Sequence, residues 1–517
     1  MHDILIKNGT IYDGTGRDGF AGDIAITDGR ITEIGDLAGD GAHEVIDAHG
    51  LYVAPGFIDI SNRTDTRWRF FSDRHLESML YQGVTTIIGG NSGSSLAPIY
   101  NDDMLKSMRK WADVGAVNVN WQTMAEFLDV VANHRLAVNF GSFVGYGTLR
   151  RGLTGDDAQR ALTKDEKTSI QKHLAHSLDG GALGVSTGLV YSHEQKVTQD
   201  ELEMIGRITA KHNKLFVAHL RDEADDMLDA LDEMIAVQEN TKTQMHISHL
   251  KAMGKTNWTL MEKAIARIEK TDVVFDLYPY TFTESVLYTF LPRWVSDGGR
   301  RMMLDRLRSE EVRAQVVKEL NTQPAFAQAI VARTKRSHYF CGKTFGDIAR
   351  TQKTTVGDVM IDVLLASDGQ VMIFLESVSR ENIMRALAST HAVISTNGIG
   401  FTIEKYHEQL MHPRSFGAFP HVFAEYVTAQ KTISVAEMIY KSSGKVAEEL
   451  HITDRGVLDE GRVADIVVFD PAHFRDYATP ERPYQYAKGV QWLLINGQTA
   501  VKYGKSTGVR AGEVIRG

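Results

Sequence analysis

Short runs of alternating apolar and polar residues open the chain. Ile4-Leu5-Ile6 leads to Asn8-Gly9, Thr10-Ile11-Tyr12 leads to Asp13-Gly14, and Ile24-Ala25-Ile26 turns at Asp28-Gly29 into Ile31-Thr32-Glu33-Ile34. Period-two alternation interrupted by Asn-Gly and Asp-Gly predicts strands joined by hairpins. The C-terminal stretch has the same texture, with Val463-Ala464-Asp465-Ile466-Val467-Val468-Phe469 and Trp492-Leu493-Leu494-Ile495 ending at Asn496-Gly497. Two β-rich ends, residues 1–53 and 451–517, predict one small β-sandwich domain formed by both chain termini.

The middle, 54–450, alternates differently. Strand-like runs fall near 53–60, 84–90, 137–145, 181–187, 215–221, 243–249, 273–280 and 392–397, and stretches such as 199–213 and 225–239 carry apolar residues at helical spacing. Strands alternating with helices predict an α/β fold, a (β/α)8 TIM-like barrel. Val371-Met372-Ile373-Phe374-Leu375 is a ninth strand candidate and leaves the count open. Residues 281–370 are too long for one connection and predict a helical insertion.

Composition narrows the function classes. Hydrophobic content of 43% and charged content of 24% describe an ordinary globular chain, and the net charge of −9 disfavours nucleic acid as a partner. Arg67-Trp68-Arg69-Phe70-Phe71 is basic and aromatic but too short to carry nucleic-acid binding, and reads as a pocket wall or covering loop. Cys341 is the sole cysteine, so no intrachain disulfide forms. No apolar run is long enough to span a membrane, and no secretory signal pattern opens the chain, so a cytoplasmic location is expected.

Barrel enzymes place their chemistry at the C-terminal ends of the strands. Position alone then selects Asp59, Ser61 and Arg63, Asn91 and Ser92, Tyr146, Ser186, Thr187 and Tyr191, His219 and Arg221, His249 and Lys251, Tyr278 and Tyr280, and Asn397. So many polar groups at strand ends point to a site. Each also has a plainer reading. The histidines could be satisfied core residues, Arg63 could pair with Asp59 or Asp65, Asn397-Gly398 could be only a turn, and Ser92 could serve close backbone approach.

Gly56-Phe-Ile-Asp-Ile-Ser-Asn-Arg63, Gly181-Ala-Leu-Gly-Val-Ser-Thr-Gly-Leu-Val-Tyr191, Ala218-His-Leu-Arg-Asp-Glu223, His246-Ile-Ser-His-Leu-Lys251, Tyr278-Pro-Tyr280 and His412-Pro-Arg414 follow one another in a specific order. Together with Ala464-Asp465, Phe469-Asp470-Pro471 and Asn496-Gly497, they resemble the N-acyl-D-amino-acid deacylases of the amidohydrolase superfamily nearly end to end. The resemblance implies a metal centre built from two histidines on the first strand, a cysteine after the second, one histidine on each of the fifth and sixth, and an aspartate on the eighth. Those positions here read Ser61, Arg63, Ser92, His219, His249 and Asn397, and a further family histidine is Tyr146.

Two histidines alone are a poor zinc site, and Arg63 keeps its positive charge at any accessible pH. No cofactor is therefore expected, with zinc only if ligands are relocated, His219 and His249 being joined by Asp59 or by some other residue. The substrate side is better preserved. The family holds its substrate carboxylate at places matching Lys251, Tyr280, Ser285 and Arg414, with Tyr191 in a pocket-lining run and Arg221 beside His219.

The expectation is a hydrolase of a small carboxylate-bearing, N-acyl amino acid-like substrate at a metal-free site. His219 or His249 would act as acid or base, with Arg63, Asn397 or Ser92 holding an oxyanion. Ser92 as a nucleophile is the weaker reading, and spacing offers no evidence for it. Lyase, isomerase or C–C hydrolase chemistry, or a non-catalytic carboxylate-binding protein, are the alternatives.

Overall fold

The computed structural model describes residues 1–517 except 102–103, 105–118, 156–159, 192, 297, 337 and 404–408. Its centre is a ring of eight parallel barrel strands. In order they are Phe57–Asp59, Val84–Gly89, Asn139–Ser142 with Val144–Gly145, Gly184–Gly188, Leu215–His219, Gln244–Ile247, Val274–Leu277 and Ala392–Ile394. The first three form one ladder and the third to eighth another. The seam between the eighth and first strands is closed by a side chain, Asp59, which accepts from Thr396 N at 2.9 Å and from Thr396 Oγ1 at 2.5 Å.

Alternation of strand and amphipathic helix produces this ring because each helix lays its apolar stripe on the outside of the sheet. Helix Gln199–Lys211 buries Leu202, Met204 and Ile205, and helix Met227–Thr241 buries Leu231, Met234 and Val237. The seventh strand pairs directly with the eighth, Phe275 opposite Ala392, although more than a hundred residues separate them. The intervening chain forms the insertion.

That insertion is not purely helical. Phe282–Val286, Ile330–Thr334 and Val371–Glu376 make a three-stranded antiparallel sheet with the last strand in the middle. The ninth strand candidate therefore belongs here and not to the barrel. Helices pack on the sheet around a separate core containing Leu304, Leu307, Phe345, Ile361 and Leu364.

The termini share one nine-stranded sheet. Strand Tyr52–Pro55 joins its halves, pairing with the first strand of the chain on one side and with Ile466–Phe469 on the other. Asp28-Gly29 and Asn496-Gly497 make the expected hairpin turns. Asn8-Gly9 does not. It is a bulge within a single strand, His2–Ile11, where Asn8 takes a φ of 63° and the register slips between Ile6 and Gly9. Among the described residues no helix is long and apolar enough to cross a membrane.

Candidate active site

The chain turns sharply where it leaves three of the barrel strands. Ser92, His249 and Asn397 all have positive φ, at 52°, 37° and 45°. Non-glycine residues in that region are uncommon, and they persist where surrounding structure holds them for a purpose. All three side chains face one cavity of about 370 Å³ between the barrel mouth and the insertion.

Arg63 organises the floor. Its Nε donates to Asn397 Oδ1 at 2.6 Å and its Nη2 donates to Ser92 Oγ at 2.9 Å. No carboxylate among the described residues is ion-paired with it. Asp59 is committed to Thr396 and Asn62, and Asp65 accepts from Gly90 N at 2.7 Å. The expected pairing of Arg63 with either aspartate is therefore not made.

His219 and His249 meet edge to face with ring centres 4.3 Å apart. Glu223, four residues beyond His219, lies against both. Its Oε2 is 3.5 Å from His219 Nε2 and its Oε1 is 3.0 Å from His249 Nδ1. Lys251 Nζ completes the group with a very short contact to Glu223 Oε1 and 3.0 Å to His249 Nδ1. Burial, with Lys251 and His219 nearby, drives His249 down to about 3, so its imidazole is neutral. His219 is lowered too, chiefly by burial, with Glu223 opposing. Burial opposes ionisation of Glu223, but Lys251 and the two imidazoles hold it well below the usual carboxylate range.

Higher in the cavity, Arg414 Nη2 donates to Glu284 at 3.3 Å and its guanidinium lies 4.8 Å over the Tyr278 ring. Arg333 donates to the same carboxylate at 2.5 Å. Burial would raise Glu284, yet Arg333, Arg414 and Arg67 bring it down to about 2. Ser285 and Tyr191 also face the cavity.

Three expected site residues stand elsewhere. Arg221 is spent on Glu233 at 2.8 Å and on the carbonyls of Gln195 and Val197, so it braces the loop after the fourth strand. The Tyr280 hydroxyl donates to Asp476 at 3.0 Å, away from the mouth, and Tyr278 takes its place on the wall. Ser61 is buried with no hydrogen-bond partner for its Oγ among the described residues, and does not line the cavity. Conversely, Glu223 and Glu284 face the cavity although strand-end position selects neither. A carboxylate one helical step past a strand-end histidine was the available signal for the first. None existed for the second, whose partner Arg333 comes from another strand of the insertion.

A search of protein-family models finds no match. The chain is 28% identical to a D-aminoacylase of Alcaligenes xylosoxydans xylosoxydans, covering 99% of this chain and 97% of that one. It is 28% identical to an N-acyl-D-aspartate deacylase from the same organism, over 99% and 95%. A crystal structure of D-aminoacylase superposes with a TM-score of 0.84 at 27% identity, covering both chains fully. The fold is that of the D-aminoacylase-like amidohydrolases. An N-acyl-D-glutamate deacylase of Bordetella bronchiseptica with zinc and a phosphonate inhibitor superposes on it with a TM-score of 0.84 at 25% identity.

This D-aminoacylase-like fold implies a metal, and one donor set has the spacing for it. Ligand atoms of His219, Glu223 and His249 all lie within 4.8 Å of one another. Asp59, the relocated ligand named from sequence, is not among them. A dication fits this set poorly. The ammonium of Lys251 already stands against both Glu223 Oε1 and His249 Nδ1. The Arg63 guanidinium stands one hydroxyl away, through Ser92, from His219. A metal would have to displace one fixed cation and sit beside another.

Proposed function

We propose that this protein hydrolyses the amide bond of a small carboxylate-bearing N-acyl amino acid, and that it does so without a resident metal ion. The observation that carries the reading is the fork of Arg63 on Ser92 and Asn397, which sets a permanent positive charge at the mouth of the barrel. A guanidinium and an amide aimed at one point are suited to the negative charge that develops on a carbonyl oxygen under attack. Lys251, Tyr191, Ser285 and Arg414 line the same cavity, which supports their holding the substrate carboxylate, with His219 moving the proton. The kinship with D-aminoacylase and with the two acidic N-acyl-D-amino-acid deacylases supports the substrate class.

A second reading has one observation in its favour. The set His219, Glu223 and His249 would hold a zinc ion if Lys251 swung away. Elemental analysis of the purified protein beside an assay on N-acyl-D-amino acids, with and without chelator, separates the two. Substoichiometric metal with activity that survives chelation is expected. Stoichiometric metal whose removal abolishes turnover would overturn the metal-free reading.

A further inference from the structure

We propose that Ser92 is the catalytic nucleophile of this site, with His219 as its general base and Glu223 as the group that orients the imidazole. Ser92 Oγ lies 3.3 Å from His219 Nδ1, and the opposite ring nitrogen lies 3.5 Å from Glu223 Oε2. Hydroxyl, imidazole and carboxylate thus stand in a chain with the ring in the middle. That is the relation by which a serine is activated on unrelated folds. The first separation is at the long end of hydrogen bonding; across the second, Nε2 makes no hydrogen bond in this structure, so the carboxylate engages the ring only when substrate draws the site together.

Each partner's other contacts point the same way. Arg63 donates to Ser92 Oγ, so the hydroxyl hydrogen is directed to His219 Nδ1. With Nδ1 accepting, the ring proton sits on Nε2, facing Glu223. Lys251 ion-pairs with that glutamate from the other side. The backbone is equally specific. Ser92 has a φ of 52° at the turn that follows the second strand. A methyl at Gly90 would come within 2.0 Å of Phe143 O, and one at Gly93 within 2.0 Å of Glu194 Oε1. A serine on a strained strand-to-loop turn flanked by obligatory glycines is how a hydroxyl is presented at the top of a parallel sheet.

The chemistry balances with water alone. Ser92 Oγ bonds to the acyl carbon as its proton passes to His219 Nδ1, and Arg63 with the Asn397 amide receives the oxyanion. The C–N bond breaks, and the amine leaves with the proton from His219. Water then attacks the Ser92 ester, its proton returning through His219 to the serine oxygen as the acid departs.

The proposal rests on the metal-free reading, and its test keeps the two apart. The full-length protein is treated with diisopropyl fluorophosphate, and the adduct is located by mass spectrometry on a preparation whose metal content and substrate turnover are measured. One phosphoryl group per chain is expected, on Ser92. Ser92→Ala should lose the label and the turnover, and His219→Asn should label slower by about 10²-fold or more. Ser92→Cys keeps a nucleophile in place if the alanine variant does not fold, and should be alkylated by iodoacetamide ahead of Cys341. An active, metal-free protein that takes no label, takes it elsewhere, or survives Ser92→Ala would overturn the role of Ser92 and leave the metal-free reading standing. Activity that leaves with a chelated metal would overturn both.

Discussion

A guanidinium offers its donors in a fixed plane, and Arg63 uses that plane to set two neighbours at once. Asn397 is turned so that its oxygen faces the arginine at 2.6 Å, which leaves its amide hydrogens for the cavity. Ser92 is approached from the other arm of the fork at 2.9 Å. A lysine carries the same charge but cannot make both contacts with one geometry. Arg63→Lys is therefore expected to lower kcat by about 10²-fold with a smaller change in KM, the signature of an interaction made in the transition state. Steady-state kinetics on an N-acyl-D-amino acid would measure it, and an unchanged kcat would remove Arg63 from the chemistry.

Beneath the mouth, the sixth and seventh strands are pinned to a helix by one buried imidazole. His246 lies 2.9 Å from Asp276 through Nε2 and 2.7 Å from Glu449 through Nδ1. Burial alone would lower it, but Glu449 and Asp276 overcome that and bring it up to about 10 from 6.5. The folded protein thus holds a proton that the unfolded chain releases near pH 6.5. This stabilisation is complete below that pH and is lost as pH rises toward 10. His246→Gln should cost about 3 kcal/mol in urea unfolding at pH 6, by leaving two carboxylates without their cation, and should flatten the alkaline decline.

Strands and helices of this kind were legible because their periods are written locally. The eight barrel runs and the Asp28-Gly29 hairpin follow from alternation and turn chemistry alone. Asn8-Gly9 misled because its left-handed residue is equally suited to a bulge, and only the partner strand Phe20–Thr27 decides between them. Val371–Glu376 could not be assigned to either sheet without knowing that Phe282–Val286 would pair with it. Of the residues selected by strand-end position, Arg63, Ser92, His219, His249, Lys251 and Asn397 line one cavity. Ser61, Arg221 and Tyr280 do not line it: Ser61 is buried beneath, and the other two are turned to Glu233 and Asp476, residues distant in the chain or on another element.

Across the whole molecule the charge is unevenly spread. The chain carries a net −9, yet the described residues around the cavity include seven cationic side chains and three carboxylates. Two of those carboxylates, Glu223 and Glu284, are already engaged by Lys251 and by Arg414 with Arg333. An anion in solution therefore meets a net-negative chain whose cavity is lined by an excess of cations, and low-dielectric walls concentrate that field along the path inward. Encounter, not only binding, becomes selective. Raising salt from about 0.01 to 0.15 M shortens the screening length from about 30 to 8 Å. Under those conditions kcat/KM for an anionic substrate should fall several-fold while kcat stays constant. Molecules bearing two negative charges should show the steeper dependence, and neutral amides none, so the ionic strength of the medium selects which solutes arrive often enough to be turned over.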